Sequence, residues 1–339
     1  MRYVAFKNLA VGMELATAVY DDKDAILLRA GSKLSDTLLN RLKSLEVRGL
    51  YINDELGRDI DVEPLVSQSL KVDAVHALVN KNYNLAIQYA KDIVQELKQQ
   101  KNNLMVNYIN DTSKKNYTCH HAVDSCIYAV IIGVTLGLTE EQLNNVAVAA
   151  MLQDVGKLNI SSDILHKKGS LTDKEFAQVK THPRLSYNIV NSIPDVSSVS
   201  RNAILFHHEN IDGSGYYSIP AEKQTYCTRI VHMADVFTAL LLDRPYRKAY
   251  SIPDAVGMIM TGAGTLFASE VVAAFVSKFP LYPLGVTVNL SNGEKAIIVD
   301  NSGSAYHPKV RVFNEKEDHL VDLFTDKRYL NVAITGIDN

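Results

Sequence analysis

The chain has 339 residues, 47% of them hydrophobic and 22% charged, with a net charge of −3. That length and composition suit a globular protein of about two or three domains, and the near-neutral charge excludes a global basic field for nucleic acid or anionic lipid. The three cysteines, Cys119, Cys126 and Cys227, are odd in number and lack C-x-x-C spacing, which argues against a disulfide framework and favours a reducing compartment.

The N-terminal stretch Met1 to Lys7 carries no signal-peptide core. Residues 1 to about 53 alternate short β-type runs with turns. Met13 to Tyr20 and Ala25 to Arg29 flank an Asp-rich turn and predict a hairpin. Ser35 caps a helix carrying Leu38, Leu39, Leu42 and Leu45, Gly49 ends it, and Leu50 to Ile52 predicts a returning strand. This α+β module reads as a packing or dimerisation unit. Residues 62 to 110 show helical spacing at Val72, Val75, Leu78 and Val79, then at Ile87, Ala90, Ile93, Val94 and Leu97. The longest nearly apolar run, Ile127 to Leu138, is twelve residues, against the about 20 of a bilayer span. No membrane span and a cytoplasmic location are expected. Beyond Pro280, short strands are predicted over Val286 to Leu290, Glu294 to Asp300, Lys309 to Phe313 and Leu330 to Ile334. The expected fold is mainly α. A helical bundle over residues 111–278 is flanked by an α+β module with connecting helices (1–110) and a β-rich extension (279–339).

The middle block carries the chemistry. Seven of the ten histidines fall between His120 and His232. His121 opens an apolar helix, and Gln153-Asp154 follows the apolar run Val146 to Leu152. His182-Pro183 opens a helix, as proline is tolerated in a first turn. His207-His208 closes Ala203 to Phe206, and Asp235 interrupts the hydrophobic helix Ile230 to Leu242. Lys157 lies one turn from Asp154. Taken singly, each has a structural reading: a hydrogen-bonded core histidine, a capping aspartate, a lysine that neutralises Asp154. Falling together on successive helices, they point to a metal centre, since a buried carboxylate is expensive unless paired, protonated or metal-bound. Mixed nitrogen and oxygen donors suit iron, manganese or zinc better than magnesium or calcium, and their number suggests two ions bridged by one carboxylate.

These pieces resemble the HD-GYP family, a branch of the HD superfamily of metal-dependent phosphohydrolases. They are Tyr117-Thr118-Cys119-His120-His121, Gln153-Asp154-Val155-Gly156-Lys157, Lys180-Thr181-His182-Pro183, His207 to Tyr217, Ala234-Asp235, and Asp243-Arg244-Pro245-Tyr246-Arg247. The resemblance implies hydrolysis of cyclic di-GMP to pGpG or GMP by a hydroxide held between two divalent transition-metal ions, with iron the first choice. It implies that His121, Asp154 and Asp235 hold one ion and His182, His207 and His208 the other, with Asp154 bridging. Lys157 would meet the scissile phosphate or the leaving oxygen, Tyr216 the substrate, and Arg244 and Arg247 a phosphate. A signalling partner such as a GGDEF-type cyclase is also implied.

Three positions depart from the family pattern. Gln153 replaces the histidine of the HD pair and offers one neutral carbonyl oxygen as a weaker ligand. Tyr117 stands where some members carry a glutamate that accompanies a third metal. Tyr217 replaces the proline of Gly-Tyr-Pro. A binder of cyclic di-GMP or of a signalling partner without efficient turnover is the alternative reading, and a hydrolase of another nucleotide phosphate is a third.

Overall fold

Helical periodicity and good caps govern the central part of the chain. The computed structural model describes residues 1–21, 25–45, 47–100, 116–242, 248–302, 306–314 and 317–338. They group into two compact units: one from both ends of the chain (1–64 and 279–338), one from the helical centre (65–100 and 116–278).

The first unit is β-rich. Strands β1 (Arg2–Ala5), β2 (Glu14–Leu15) and β5 (Gly49–Asn53) form a sheet in the order β1-β5-β2, while β3 (Val19–Tyr20) pairs with β4 (Ile26–Leu28). The run expected from Met13 to Tyr20 is therefore two strands that join different partners. Helix α1 (Asp36–Ser44) is capped by Ser35, whose Oγ accepts from Leu38 N at 3.3 Å. It stops before Gly49, which instead opens β5. The C-terminal strands β6 (Thr287–Leu290), β7 (Lys295–Asp300), β8 (Lys309–Phe313), β9 (Asp318–Asp322) and β10 (Ile334–Ile337) form one antiparallel sheet in the order β10-β6-β7-β8-β9. Alternation puts Val286, Val288 and Leu290, Ala296 and Ile298, and Val310 and Val312 on one buried face. β9 went unread because Asp-His-Leu-Val-Asp is too polar to look like a strand. The last strand begins at Ile334, where the sequence reading ended it. The two ends are joined by Tyr3 N donating to Gly285 O at 2.9 Å. Arg311 is 2% exposed, donates to Leu56 O at 2.7 Å and pairs with Asp59.

The second unit is helical: α2 (Gln68–Val79), α3 (Tyr83–Gln99), α4 (Tyr117–Thr135), α5 (Glu140–Leu152), α6 (Ser162–Leu165), α7 (Asp173–Val179), α8 (His182–Val190), α9 (Ser198–Phe206), α10 (Tyr226–Leu240), α11 (Ile252–Thr261) and α12 (Ser269–Val276). A Thr139–Gln142 capping box starts α5. Buried small residues on α5, Ala147, Ala149 and Ala150, let α3, α4, α9 and α10 pack closely around it. Being apolar on nearly every side, α4 and α5 form the centre of the unit. Cys119, Cys126 and Cys227 are free and buried there, and burial pushes the Cys119 thiol up to about 11. They act as small apolar groups. Among the described residues, no helix is long and apolar enough to cross a membrane.

Candidate metal centre

Five helix ends or faces deliver the polar side chains to one buried spot of the helical unit. His121 lies in the second turn of α4. Gln153 and Asp154 link α5 to a short 3-10 turn, Val155–Asn159, that carries Lys157. His182 is the first residue of α8, with Pro183 fixing the turn. His207 and His208 leave the end of α9, and Asp235 sits in the middle of α10. His121, Gln153, Asp154, His182, His207 and Asp235 are all at most 5% exposed.

They form two groups. His182, His207 and His208 present ring nitrogens within 4.8 Å of one another, and His121, Asp154 and Asp235 do the same with nitrogen and carboxylate atoms. Asp154 faces both. Its Oδ2 stands 3.8 Å from His121 Nε2, while its Oδ1 stands 3.2 Å from His182 Nε2 and 3.7 Å from His207 Nε2. Lys157 Nζ donates to Asp154 Oδ2 at 2.6 Å. Gln153 Nε2 donates to Asp235 Oδ1 at 3.0 Å, and His121 Nε2 meets the same oxygen at 2.8 Å.

Backbone carbonyls fix the histidine tautomers. A carbonyl only accepts, so His182 Nδ1 donates to Val179 O at 2.7 Å and His207 Nδ1 donates to Ile204 O at 2.8 Å. In the neutral rings both Nε2 atoms then carry lone pairs, and they face each other at 3.2 Å. No hydrogen bond joins two such lone pairs. A cation between them removes the conflict. His232 Nδ1 in turn donates to His207 O at 2.8 Å and steadies that turn. On the other side, among the described residues, His121 Nδ1 and Gln153 Oε1 are buried without a hydrogen-bond partner. The donor set fits divalent metal.

The charges agree with this. Burial pushes the Asp154 carboxyl up, but Lys157, His182 and His207 together outweigh it and hold it well below the usual range. Burial likewise opposes Asp235, yet His121 and His208 keep it ionised. Burial and the neighbouring His182 lower His207 to about 4, and burial with His207 lowers His208 well below its ordinary value. At neutral pH Asp154 and Asp235 are therefore carboxylates and His207 and His208 neutral imidazoles, the forms that bind metal.

The turn after α9 frames the mouth. Tyr216 lays its ring against His208, centroids 4.5 Å apart. Gly215 is needed there because a Cβ would lie 2.5 Å from Glu209 Cα and from His208 O. Glu209, 1% exposed, accepts from Tyr217 N at 2.6 Å and Ile219 N at 2.7 Å. Gln224 Nε2 holds Asn210 O and Ile219 O at 2.8 and 2.9 Å. Nothing in the sequence points to Gln224, and Glu209 is marked there only as an acid beside the histidine pair, without a role. Glu209 adjoins the histidine pair, but only the fold reveals that it reads backbone amides. Glu209→Gln leaves a buried amide facing two N–H donors, and charge-assisted hydrogen bonds are worth about 1.5–3 kcal/mol each. Amide exchange at Tyr217 and Ile219 should accelerate by about tenfold or more, as followed by hydrogen-exchange mass spectrometry. Arg244 and Arg247 lie outside the described residues.

Comparison with known proteins gives this arrangement its family. Residues 103–271 match the HD domain family. A cyclic di-GMP phosphodiesterase of Pseudomonas aeruginosa is 30% identical over 230 residues, 66% of this chain and 55% of that protein. A cyclic di-GMP phosphodiesterase response regulator of Xanthomonas campestris is 37% identical over 155 residues, 44% of this chain and 40% of that one. The chain thus spans about half the length of the curated relatives it matches. Among solved structures, an HDG"Y"P protein from Bdellovibrio bacteriovorus aligns with TM-score 0.52 at 18% identity, over 80% of this chain and 97% of that one, a likeness of fold. HD domains bind divalent metals, and the two ligand groups lie inside the matched segment. The chain belongs to the HD domain family, as its motifs imply.

Proposed function

We propose that this chain is a metal-dependent phosphodiesterase that hydrolyses cyclic di-GMP to pGpG, GMP or both. The observation that carries the proposal is Asp154, which points one carboxylate oxygen toward each ligand group. Relatives named for cyclic di-GMP supply the substrate. His121, Asp154 and Asp235 would hold one ion and His182, His207 and His208 the other, with iron first and manganese or zinc as alternatives. When bound, two such ions polarise a phosphoryl oxygen and activate water. Lys157, 14% exposed and anchored on Asp154, would offer its proton toward a leaving oxygen. Tyr216 flanks the mouth, and Arg244 and Arg247 would grip phosphate. The test is metal analysis of the purified protein together with chromatography after incubation with cyclic di-GMP, with 3′3′-cGAMP run in parallel. About two metal equivalents and metal-dependent pGpG are expected. A metal-free protein that leaves the dinucleotide intact overturns the reading.

A receptor that binds cyclic di-GMP without efficient turnover is the second reading, and Gln153 favours it. Its amide nitrogen is engaged by Asp235, so only the weakly donating Oε1, buried without a hydrogen-bond partner among the described residues, is left to serve as a ligand. Replacing it by imidazole supplies a stronger donor. Gln153→His should therefore retain more metal than the parent after dialysis against a chelator. Equal or lower retention would show that this position contributes no ligand.

A further inference from the structure

Lys180 lies two residues before His182, at the end of α7, and is exposed at the mouth of the site. Its Nζ stands 4.9 Å from the centre of the Tyr216 ring and 4.9 Å from that of Phe176. Tyr216 itself lies against His208. The sequence thus runs in space from the ligand histidine through one aromatic ring to an ammonium. Among the described residues, no carboxylate pairs with Lys180. Other lysines of this unit are neutralised, Lys157 by Asp154 and Lys167 by Glu175. A cation over two aromatic faces is held in place without losing its charge. It keeps donors directed at solvent, ready for an anion.

We infer that Lys180 binds the second phosphate of a cyclic dinucleotide, the one not presented to the metal ligands. The inference rests on the cyclic di-GMP reading and deepens it. A cyclic dinucleotide carries two phosphodiesters on opposite sides of one macrocycle. With one of them at the histidine and aspartate cluster, the other must lie displaced from it. Lys157 is committed to the cluster through Asp154. Among the described residues, Lys180, one tyrosine ring removed from His208, is a cation displaced from the cluster in this way. This assigns Tyr216 a double part: it flanks the ligand histidine and carries the lysine that selects substrates with two phosphates. Phe176, 44% exposed although apolar, serves as the outer wall of the same seat.

The experiment compares Lys180→Met, Lys180→Arg and the surface control Lys174→Met with the parent in the metal-loaded full chain. Methionine keeps the stem against both rings and removes only the charge. Affinity for cyclic di-GMP is read as KM where the protein turns it over, and as a calorimetric Kd where it does not, at several salt concentrations. Lys180→Met should weaken affinity about tenfold, the scale of one charged hydrogen bond, and flatten its salt dependence. Any change in kcat should stay within about twofold. Lys180→Arg should restore most of the affinity, and Lys174→Met should match the parent. If the parent binds or cleaves cyclic di-GMP and Lys180→Met does so equally well, the role of Lys180 is overturned and the phosphodiesterase reading stands. If the parent neither binds nor cleaves it, the parent reading falls and takes this inference with it.

Discussion

Asp154→Ala should strip the protein of metal and of phosphodiesterase activity in one step. The carboxylate is 1% exposed and faces both ligand groups. Its removal takes one donor from each ion and leaves four histidines and one aspartate to hold two divalent charges. It also leaves the Lys157 ammonium without the partner it meets at 2.6 Å. An uncompensated cation beside two ions disfavours their binding further. Loss of electrostatic catalysis from a two-metal site costs several kcal/mol of barrier. Turnover should drop by about a thousandfold or more, and metal content to well under one equivalent. Elemental analysis and product chromatography on the same sample read both. Full metal with lost activity would confine Asp154 to catalysis, and full activity would remove it from the bridge. Asp154→Asn is the control for folding, because it preserves volume and one acceptor oxygen while removing the charge.

The sequence makes this centre legible because metal ligands are chemically conspicuous. An aspartate after Val146 to Leu152, and histidines against Ala203 to Phe206, stand out from apolar surroundings. The motif spacing then gathers them into one family pattern. The helices around them are equally readable, since caps such as Thr139 and Ser197 and apolar stripes act within a few residues. What escapes notice depends on contacts distant in sequence. Glu209 resembles an ordinary polar residue until Tyr217 N and Ile219 N are seen to donate to it. The pairing of Tyr3 with Gly285 spans nearly the whole chain, so nothing local reveals that the two β-rich ends share a unit. β9 is missed for another reason: it is an edge strand, and its Asp318 and Asp322 suit a solvent-facing rim better than a hydrophobic pattern. The early end assigned to the last strand reflects Leu330 and Val332, apolar residues of a turn in which Val332 packs on Tyr329 and its neighbours while Leu330 is exposed.

Gly156→Ala should damage fold and metal site together, although it adds a single methyl group. The new Cβ would lie 2.3 Å from His182 O, 2.6 Å from Ser186 N and 2.8 Å from Leu185 Cβ. The first two are backbone atoms of α8, so no side-chain rotation relieves them. To reach the 3.4 Å of ordinary contact, the start of α8 must retreat by about 1 Å. That retreat strains the bond from Gly156 N to Ser186 Oγ, 2.8 Å long and buried. Overpacking of this kind costs about 1–3 kcal/mol, and more where backbone has to move. His182 rides on the same turn, so its Nε2 leaves the position facing His207 and Asp154. The site built on His121, Asp154 and Asp235 has no residue on α8. Urea denaturation should show the loss of stability. Metal titration should show one equivalent still bound tightly and the other weakened by about tenfold or more. Two equally weakened equivalents would mean that the disturbance spreads through Asp154 and is not confined to α8. An unchanged midpoint and stoichiometry would mean that the close approach of Gly156 to α8 is not what seats His182.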